Sequence, residues 1–181
     1  MNKIIAVFGK AGAGKTSACN FLKNNGYSVL LFGDQTDIGL KEKSLPLTEQ
    51  NERNYREELR EKLGMAAYAI KIAYRIKETL KQNQKIALDG LYSWEEYIYL
   101  KKYFPSLVLL CVYTRPEVRH KRLYWRKVRK LTKKEAQARD VAELVNLNKG
   151  SPIALADYLI ENNGSVQIFK QQMNQFLDFI I

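Results

Sequence analysis

Apolar positions along the chain fall into short runs separated by segments with helical spacing. Five runs have strand length: Lys3–Phe8, Ser28–Phe32, Lys85–Asp89, Leu107–Tyr113 and Asp157–Glu161. Helical patterns cover Lys15–Asn24, Asn51–Leu63, Met65–Lys81 and Ser93–Tyr103, with stop signals at Asn25-Gly26, Gly64 and Pro105. Pro116 opens a long basic helix. Thr132 and Glu135 have capping-box spacing and predict a further helix towards Asn146. These two helices meet near Arg129–Leu131 and should form a projecting hairpin. Ser165 caps a last amphipathic helix with Val166, Phe169, Met173, Phe176 and Leu177 on one face, which is expected to pack on the sheet. The stretch from Gly33-Asp34 to about Gln50 is polar and predicts no element. Strands alternating with helices are the signature of a parallel sheet wrapped by helices, an α/β architecture.

Composition changes this picture little. The chain has 181 residues, 46% hydrophobic and 27% charged, which fits one soluble globular domain with a full core. No apolar run reaches membrane-span length, and the first residues lack the pattern of a signal peptide, so a cytoplasmic protein with no membrane partner is expected. Cys19, Cys111 and His120 are too few for a structural zinc site. Both cysteines are expected to be small buried hydrophobes, His120 an ordinary surface residue, and Trp94, Tyr97 and Tyr99 packing residues.

Charge is more informative. The net charge is +11, and residues 115–139 hold eleven Lys and Arg against two acids, Glu117 and Glu135. Such a field attracts phosphates, on a nucleotide or along a nucleic acid.

Gly9-Lys10-Ala11-Gly12-Ala13-Gly14-Lys15-Thr16 matches GxxxxGK[ST] without a mismatch, directly after a strand and opening a helix that continues with Ser17. The glycines allow close approach of backbone N–H groups to phosphate oxygens, and the helix N-terminus adds partial positive charge. Lys15 should reach the β- and γ-phosphates and Thr16 should ligate Mg²⁺. The loop alone leaves kinase, GTPase and motor ATPase open. Asp89 ends an apolar strand, as expected of an acid that positions magnesium. Asn148-Lys149-Gly150-Ser151 begins like a guanine-binding NKxD motif but lacks its acid. Asp34, at the carboxyl end of the second strand, could accept the proton of an attacking hydroxyl or hold the metal, with Asp37 as an alternative.

These features, with Leu59-Arg60-Glu61, Leu88-Asp89-Gly90, the arginine series from Arg115 to Arg126, and Ala156-Asp157-Tyr158-Leu159-Ile160 followed by Asn162-Asn163-Gly164-Ser165, resemble the nucleoside monophosphate kinase-like branch of P-loop proteins. The likeness is greatest to dephospho-CoA kinases and their uncharacterised archaeal relatives, and it covers nearly the whole chain. The resemblance implies a three-layer P-loop NTPase fold with a five-stranded parallel sheet in the order 2-3-1-4-5 and a helical lid. It implies an acceptor-side helical lobe at about residues 36–82 and a basic lid hairpin at about residues 119–146. ATP and Mg²⁺ are the implied donor and metal. Lys15, Asp34, Asp89, Arg126 and Arg139 would be catalytic, and Thr16 with Asp89 would hold the metal. Gly9, Lys10, Ala11, Gly12, Ala13, Gly14, Lys15, Thr16, Ser17, Arg122, Arg126 and Asn162 would bind nucleotide. Asp34, Arg56 and Arg60 would bind the acceptor, with Arg53 as a further candidate. Arg119, Arg122 and Arg126 recur at i, i+3 and i+7, so one helix face could present all three to phosphates. Arg139-Asp140 departs from the family pattern by placing an acid among the lid residues.

The reading is a phosphotransferase moving the γ-phosphate of MgATP to a small nucleotide-like acceptor, either dephospho-CoA or a nucleoside or deoxynucleoside monophosphate. Two alternatives stay open. One is a kinase for a DNA or RNA hydroxyl, held through segment 115–139 with Tyr124 and Trp125 stacking on bases. The other is a P-loop switch with little turnover. Acceptor, ATP-versus-GTP preference and oligomeric state are not specified by the sequence.

Overall fold

The computed structural model describes residues 3–127 and 130–180. Its elements are β1 (Lys3–Phe8), α1 (Lys15–Asn24), β2 (Ser28–Leu31), α2 (Asp34–Glu42), α3 (Glu49–Leu63), α4 (Ala67–Gln82), β3 (Lys85–Asp89), α5 (Trp94–Tyr103), β4 (Leu107–Tyr113), α6 (Pro116–Trp125), α7 (Lys133–Val145), α8 (Gly150–Ala154), β5 (Tyr158–Glu161) and α9 (Val166–Phe179). The five strands form one parallel sheet in the order β2-β3-β1-β4-β5. Central strands buried on both faces must be apolar throughout, which is why β1 and β4 read as continuous hydrophobic runs.

The pleat of β1 divides the core. Ile4, Ala6 and Phe8 pack with α2, α3, α4 and α5, whereas Ile5 and Val7 pack with α1 and α9. Cys19 and Cys111 are buried. Burial pushes the Cys19 thiol far up and the Cys111 thiol up to about 11, so both remain protonated and packed. Phe169, Met173 and Phe176 cover the sheet as expected of the last helix, while Val166 lies exposed at its first turn. No helix among the described residues is long and apolar enough to cross a membrane.

Register places the chemistry. Val7 and Leu31 both pair with Asp89, and Phe8 pairs with Cys111. The Asp89 carboxylate therefore emerges at the carboxyl edge beside the loop that follows β1, where ligands bind in open parallel sheets.

Two expectations need correction. The polar stretch after Gly33 begins with helix α2, whose buried side includes Gln35, Thr36 and Gly39 as well as Leu40. Two polar residues and a glycine on the buried face conceal its amphipathic pattern. Asp34 and Asp37 favour its first turn by opposing the helix dipole. The basic helix opened by Pro116 is short, because Arg126 is already extended at φ −65° and ψ 150°. The backbone N–H of Leu131 donates to Leu123 O at 3.2 Å, bringing the chain back towards α7. The expected junction at Arg129–Leu131 falls partly outside the described residues. Asn148-Lys149-Gly150-Ser151 forms the entry to the short helix α8.

Gly39 lets α2 and α3 approach: a Cβ there would lie 2.0 Å from Cζ and Oη of the buried Tyr55 ring. Gly39→Ala is expected to lower unfolding stability by about 1–3 kcal/mol through overpacking. An unchanged denaturation midpoint would refute this account of the α2–α3 contact.

Candidate active site

The loop of residues 9–14 turns its carbonyl groups towards the protein. Lys15 Nζ donates to Gly9 O at 2.9 Å and to Lys10 O at 3.2 Å. Arg119 donates to Ala11 O at 3.2 Å and Arg122 to Gly12 O at 3.5 Å. Ala13 O accepts from Thr114 Oγ1 at 2.9 Å and from Asn162 Nδ2 at 2.8 Å. Five consecutive carbonyls are thus taken up, and the first N–H groups of α1 have no intrahelical acceptor. Gly14 holds φ at 107°, and a Cβ there would meet Asn162 Nδ2 at 2.2 Å. Its lack of a side chain is required by this bracing contact as well as by backbone conformation.

Above the loop lies a cavity of about 530 Å³. Its walls include the cations Lys15, Arg122, Arg126, Arg139 and Lys149 and the acids Asp89 and Glu143. Five cations against two carboxylates match a polyphosphate. Lys15 is half-buried beside Lys149, and desolvation first, then that second ammonium, pulls its pKa down to about 8. Lys149 is only 2% exposed, with Nζ 3.1 Å from Glu143 Oε2 and 5.2 Å from the Tyr92 ring centroid. Arg139 Nε donates to the other Glu143 oxygen at 3.1 Å. Against the opposing effect of burial, these two cations hold the Glu143 carboxyl below its usual range. The sequence pattern singled out neither Lys149 nor Glu143. The signal for Lys149 was the failed NKxD match, and only the fold turns that lysine towards the loop; Glu143 had none.

Thr16 Oγ1 donates to Asp89 Oδ2 at 3.3 Å on the same wall. Burial raises the Asp89 pKa, opposed by Lys15 and by hydrogen bonds from Thr16 and Cys19. A hydroxyl beside one half-buried carboxylate suits Mg²⁺, a hard cation that takes few protein ligands and completes its shell with phosphate and water. No cluster of three or more His, Cys, Asp or Glu with metal-site geometry occurs among the described residues, so the protein offers this pair rather than a full cage.

A second cavity, of about 670 Å³, shares Leu31, Gly33 and Tyr92 with the first. Asp34, Thr36, Arg56, Arg60 and Tyr68 line it. Asp34 sits on the first turn of α2 and accepts from Nη1 and Nη2 of Arg75, both at 3.4 Å. Arg56 pairs with Glu52 at 3.1 Å and Glu49 at 3.4 Å, and Arg53 pairs with Glu57 at 3.0 Å away from the cavity. Tyr92, common to both cavities, is placed by its backbone N–H donating to Glu96 Oε2 at 2.6 Å. Glu96 is buried in a capping box with Ser93, and burial lifts its carboxyl to about 7.

The expected arginine face divides. Arg122 and Arg126 line the cavity above the loop, but Arg119 is buried and bonds both Asp140 oxygens, at 2.9 and 2.8 Å. It braces the loop from beneath. His120 is also no ordinary surface residue: its Nε2 lies 2.9 Å from Asp140 Oδ2. Lys10 Nζ donates to Asp140 O at 2.7 Å, which turns this side chain away from the cavity. The Asn162 side chain is directed at the loop, and the Asn162 backbone carbonyl accepts from Arg122 at 2.8 Å.

Comparison with known proteins gives the same outline. The AAA domain family matches residues 5–146. A UPF0200 protein of Pyrococcus abyssi is 31% identical over 98% of this chain and 97% of its own. Among solved structures, shikimate kinase from Bacteroides thetaiotaomicron superposes with a TM-score of 0.64 at 13% identity, covering 98% of this chain and 97% of the kinase. Dephospho-CoA kinase from Campylobacter jejuni gives 0.58 at 16% identity, covering 99% and 98%. At such identities the likeness is one of fold: the chain has the fold of P-loop kinases.

The depressed Lys15 pKa has a measurable consequence. A phosphate ligand binds the charged amine, so deprotonation of the free protein above pH 8 must weaken binding. The Kd for ATP should rise about tenfold per pH unit between pH 8 and 10. Calorimetric titration checks this, with Lys15→Arg expected to flatten the profile. Affinity constant up to pH 10 in the wild type would contradict the geometry given for Lys15.

Proposed function

The chain belongs to the UPF0200 family and carries an AAA domain over most of its length, and we propose that it is a kinase transferring the γ-phosphate of ATP to a small nucleotide-like acceptor. The observation that carries this reading is the pair of adjoining cavities. One is walled by cations and the P-loop, the other by Asp34, Arg56, Arg60 and Tyr68, with Leu31, Gly33 and Tyr92 common to both. A donor and an acceptor seated in them would meet at that shared wall.

Phosphoryl transfer depends on positioning and on neutralising charge. The loop N–H groups and Lys15 would hold the β- and γ-phosphates, and Arg122, Arg126 and Arg139 would balance charge on the transferring group. Thr16 and Asp89 would hold Mg²⁺, which supplies neutralisation of the phosphate oxygens. Lys149 would add a further ammonium once phosphate competes with Glu143 for it. On the acceptor side, Arg60 is the cation we assign to an acceptor phosphate, since Arg56 is already shared between two glutamates. Asp34 would take the proton from the attacking group, with Arg75 fixing its carboxylate. The half-buried Tyr92 offers ring surface for a base. Helices α2 to α4 would then form the acceptor lobe and α6 with α7 the lid, in a protein acting on soluble nucleotides in the cytoplasm.

The test is transfer of labelled γ-phosphate with Mg²⁺ to a panel of dephospho-CoA and all ribo- and deoxyribonucleoside monophosphates. A single phosphorylated product is expected, and Asp34→Asn should lower kcat at least ~100-fold while leaving the Kd for ATP within about twofold. Tight ATP binding with no transfer to any acceptor in the panel would favour the switch over the kinase.

A further inference from the structure

Arg119, Arg122, Arg126 and Arg139 are accounted for by the cavity above the phosphate loop and by the loop itself; the lysines of the basic segment are not. Lys121, Lys127, Lys130, Lys133 and Lys134 are exposed. Among the described residues none of the five takes part in an ion pair. Lys121 and Lys133 line a groove of about 610 Å³ between α6 and α7 that shares no lining residue with the nucleotide cavity.

Two aromatic side chains stand in that groove. Trp125 is 77% exposed and Tyr124 51%. Their rings meet edge to face, with centroids 5.0 Å apart and planes at 89°. Each ring holds the other in orientation and leaves apolar surface to solvent, which is unfavourable on a protein surface with nothing to cover it. Pro116 and the stem of Gln137 extend the apolar floor, and Glu117 is the one acid on the lining.

We propose that this groove binds single-stranded nucleic acid, with bases stacking on Trp125 and Tyr124 and phosphates held by Lys121 and Lys133. Charge and ring geometry select this occupant together. Lysines alone would suit any polyanion, but an acidic peptide would leave the aromatic faces uncovered. Stacking platforms interleaved with lysines are what a single strand, with a flat base and a charge on every unit, can use at once. The volume is of the size that holds a ligand of one or two nucleotides. Lys127, Lys130 and Lys134, exposed on the same segment, extend the positive field along which a strand would run. This strand is a ligand of the outer groove and not the acceptor of the transfer, so the inference stands or falls apart from the kinase reading.

The experiment is fluorescence anisotropy of labelled ten-residue oligo-dT and oligo-U with the full chain, over about 50–200 mM salt. Binding is expected, with log K falling linearly with log salt. The double variant Lys121→Gln/Lys133→Gln should reduce the magnitude of that slope by about 1.4. Trp125→Ala should weaken binding ~10-fold or more at fixed salt and leave the slope unchanged. Saturating MgATP should not displace the strand, and all variants should bind ATP as the wild type does, which confirms that they fold. The proposal is overturned by absence of oligonucleotide binding, by binding indifferent to Trp125→Ala, or by displacement with ATP. Binding to phosphatidylserine vesicles with none to either oligonucleotide would also overturn it and assign the groove to a membrane surface.

Discussion

Arg119 is buried beneath the phosphate loop, 3% exposed, and separate parts of the chain meet on its guanidinium. It donates to both oxygens of Asp140 on α7, to Ala11 O in the loop at 3.2 Å and to Thr114 O after β4 at 3.0 Å. Asp140 in turn receives His120 Nε2 at 2.9 Å, and its backbone carbonyl receives Lys10 Nζ. Burial works against the Asp140 carboxylate, yet hydrogen bonds from Arg119 and His120 hold its pKa below the ordinary value. A buried ion pair is stabilising only when its remaining donors and acceptors are satisfied, and here the second partners are backbone carbonyls and a neighbouring imidazole. The same contacts tie α6 and α7 to the loop.

The consequence is a loop whose peptide orientation is set before any ligand arrives. Carbonyls from Gly9 to Ala13 are occupied on the protein side, by Lys15, Arg119, Arg122, Thr114 and Asn162. The anion-binding N–H groups are left for the cavity. Preorganised dipoles of this kind need little rearrangement on binding, which is where their electrostatic advantage lies. Lys15 is the exception, since its ammonium rests on the loop carbonyls and, in the proposed function, would exchange them for phosphate. Lys149 stands in a similar relation to Glu143.

Much of this was legible in the sequence, for identifiable reasons. Buried parallel strands have to be continuously apolar, so all five strands were found to within a residue. The loop motif is specific because every glycine in it answers a steric demand, such as the 2.2 Å approach of Asn162 to the missing Cβ of Gly14. What stayed hidden depends on tertiary context. Helix α2 buries Gln35, Thr36 and Gly39, residues that read as a polar loop. Asp140 looked like a departure from the lid pattern and is the partner of an arginine 21 positions away. Periodicity placed Arg119 on one face with Arg122 and Arg126, but helix spacing cannot tell which of three arginines is swallowed by the core. Lys149 needed the short helix α8 to turn it back over Phe8 and Tyr92.

The Arg119–Asp140 pair is predicted to shape the loop for a triphosphate, and a double-mutant cycle on MgATP affinity tests this directly. Titrations of wild type, Arg119→Met, Asp140→Leu and the double variant would be compared at low temperature, with folding verified by circular dichroism. Each single change is predicted to weaken MgATP at least ~10-fold, and the double change to cost little more than the worse single one, giving a coupling of about 1–3 kcal/mol. Two folded single variants that bind MgATP as tightly as the wild type would contradict it.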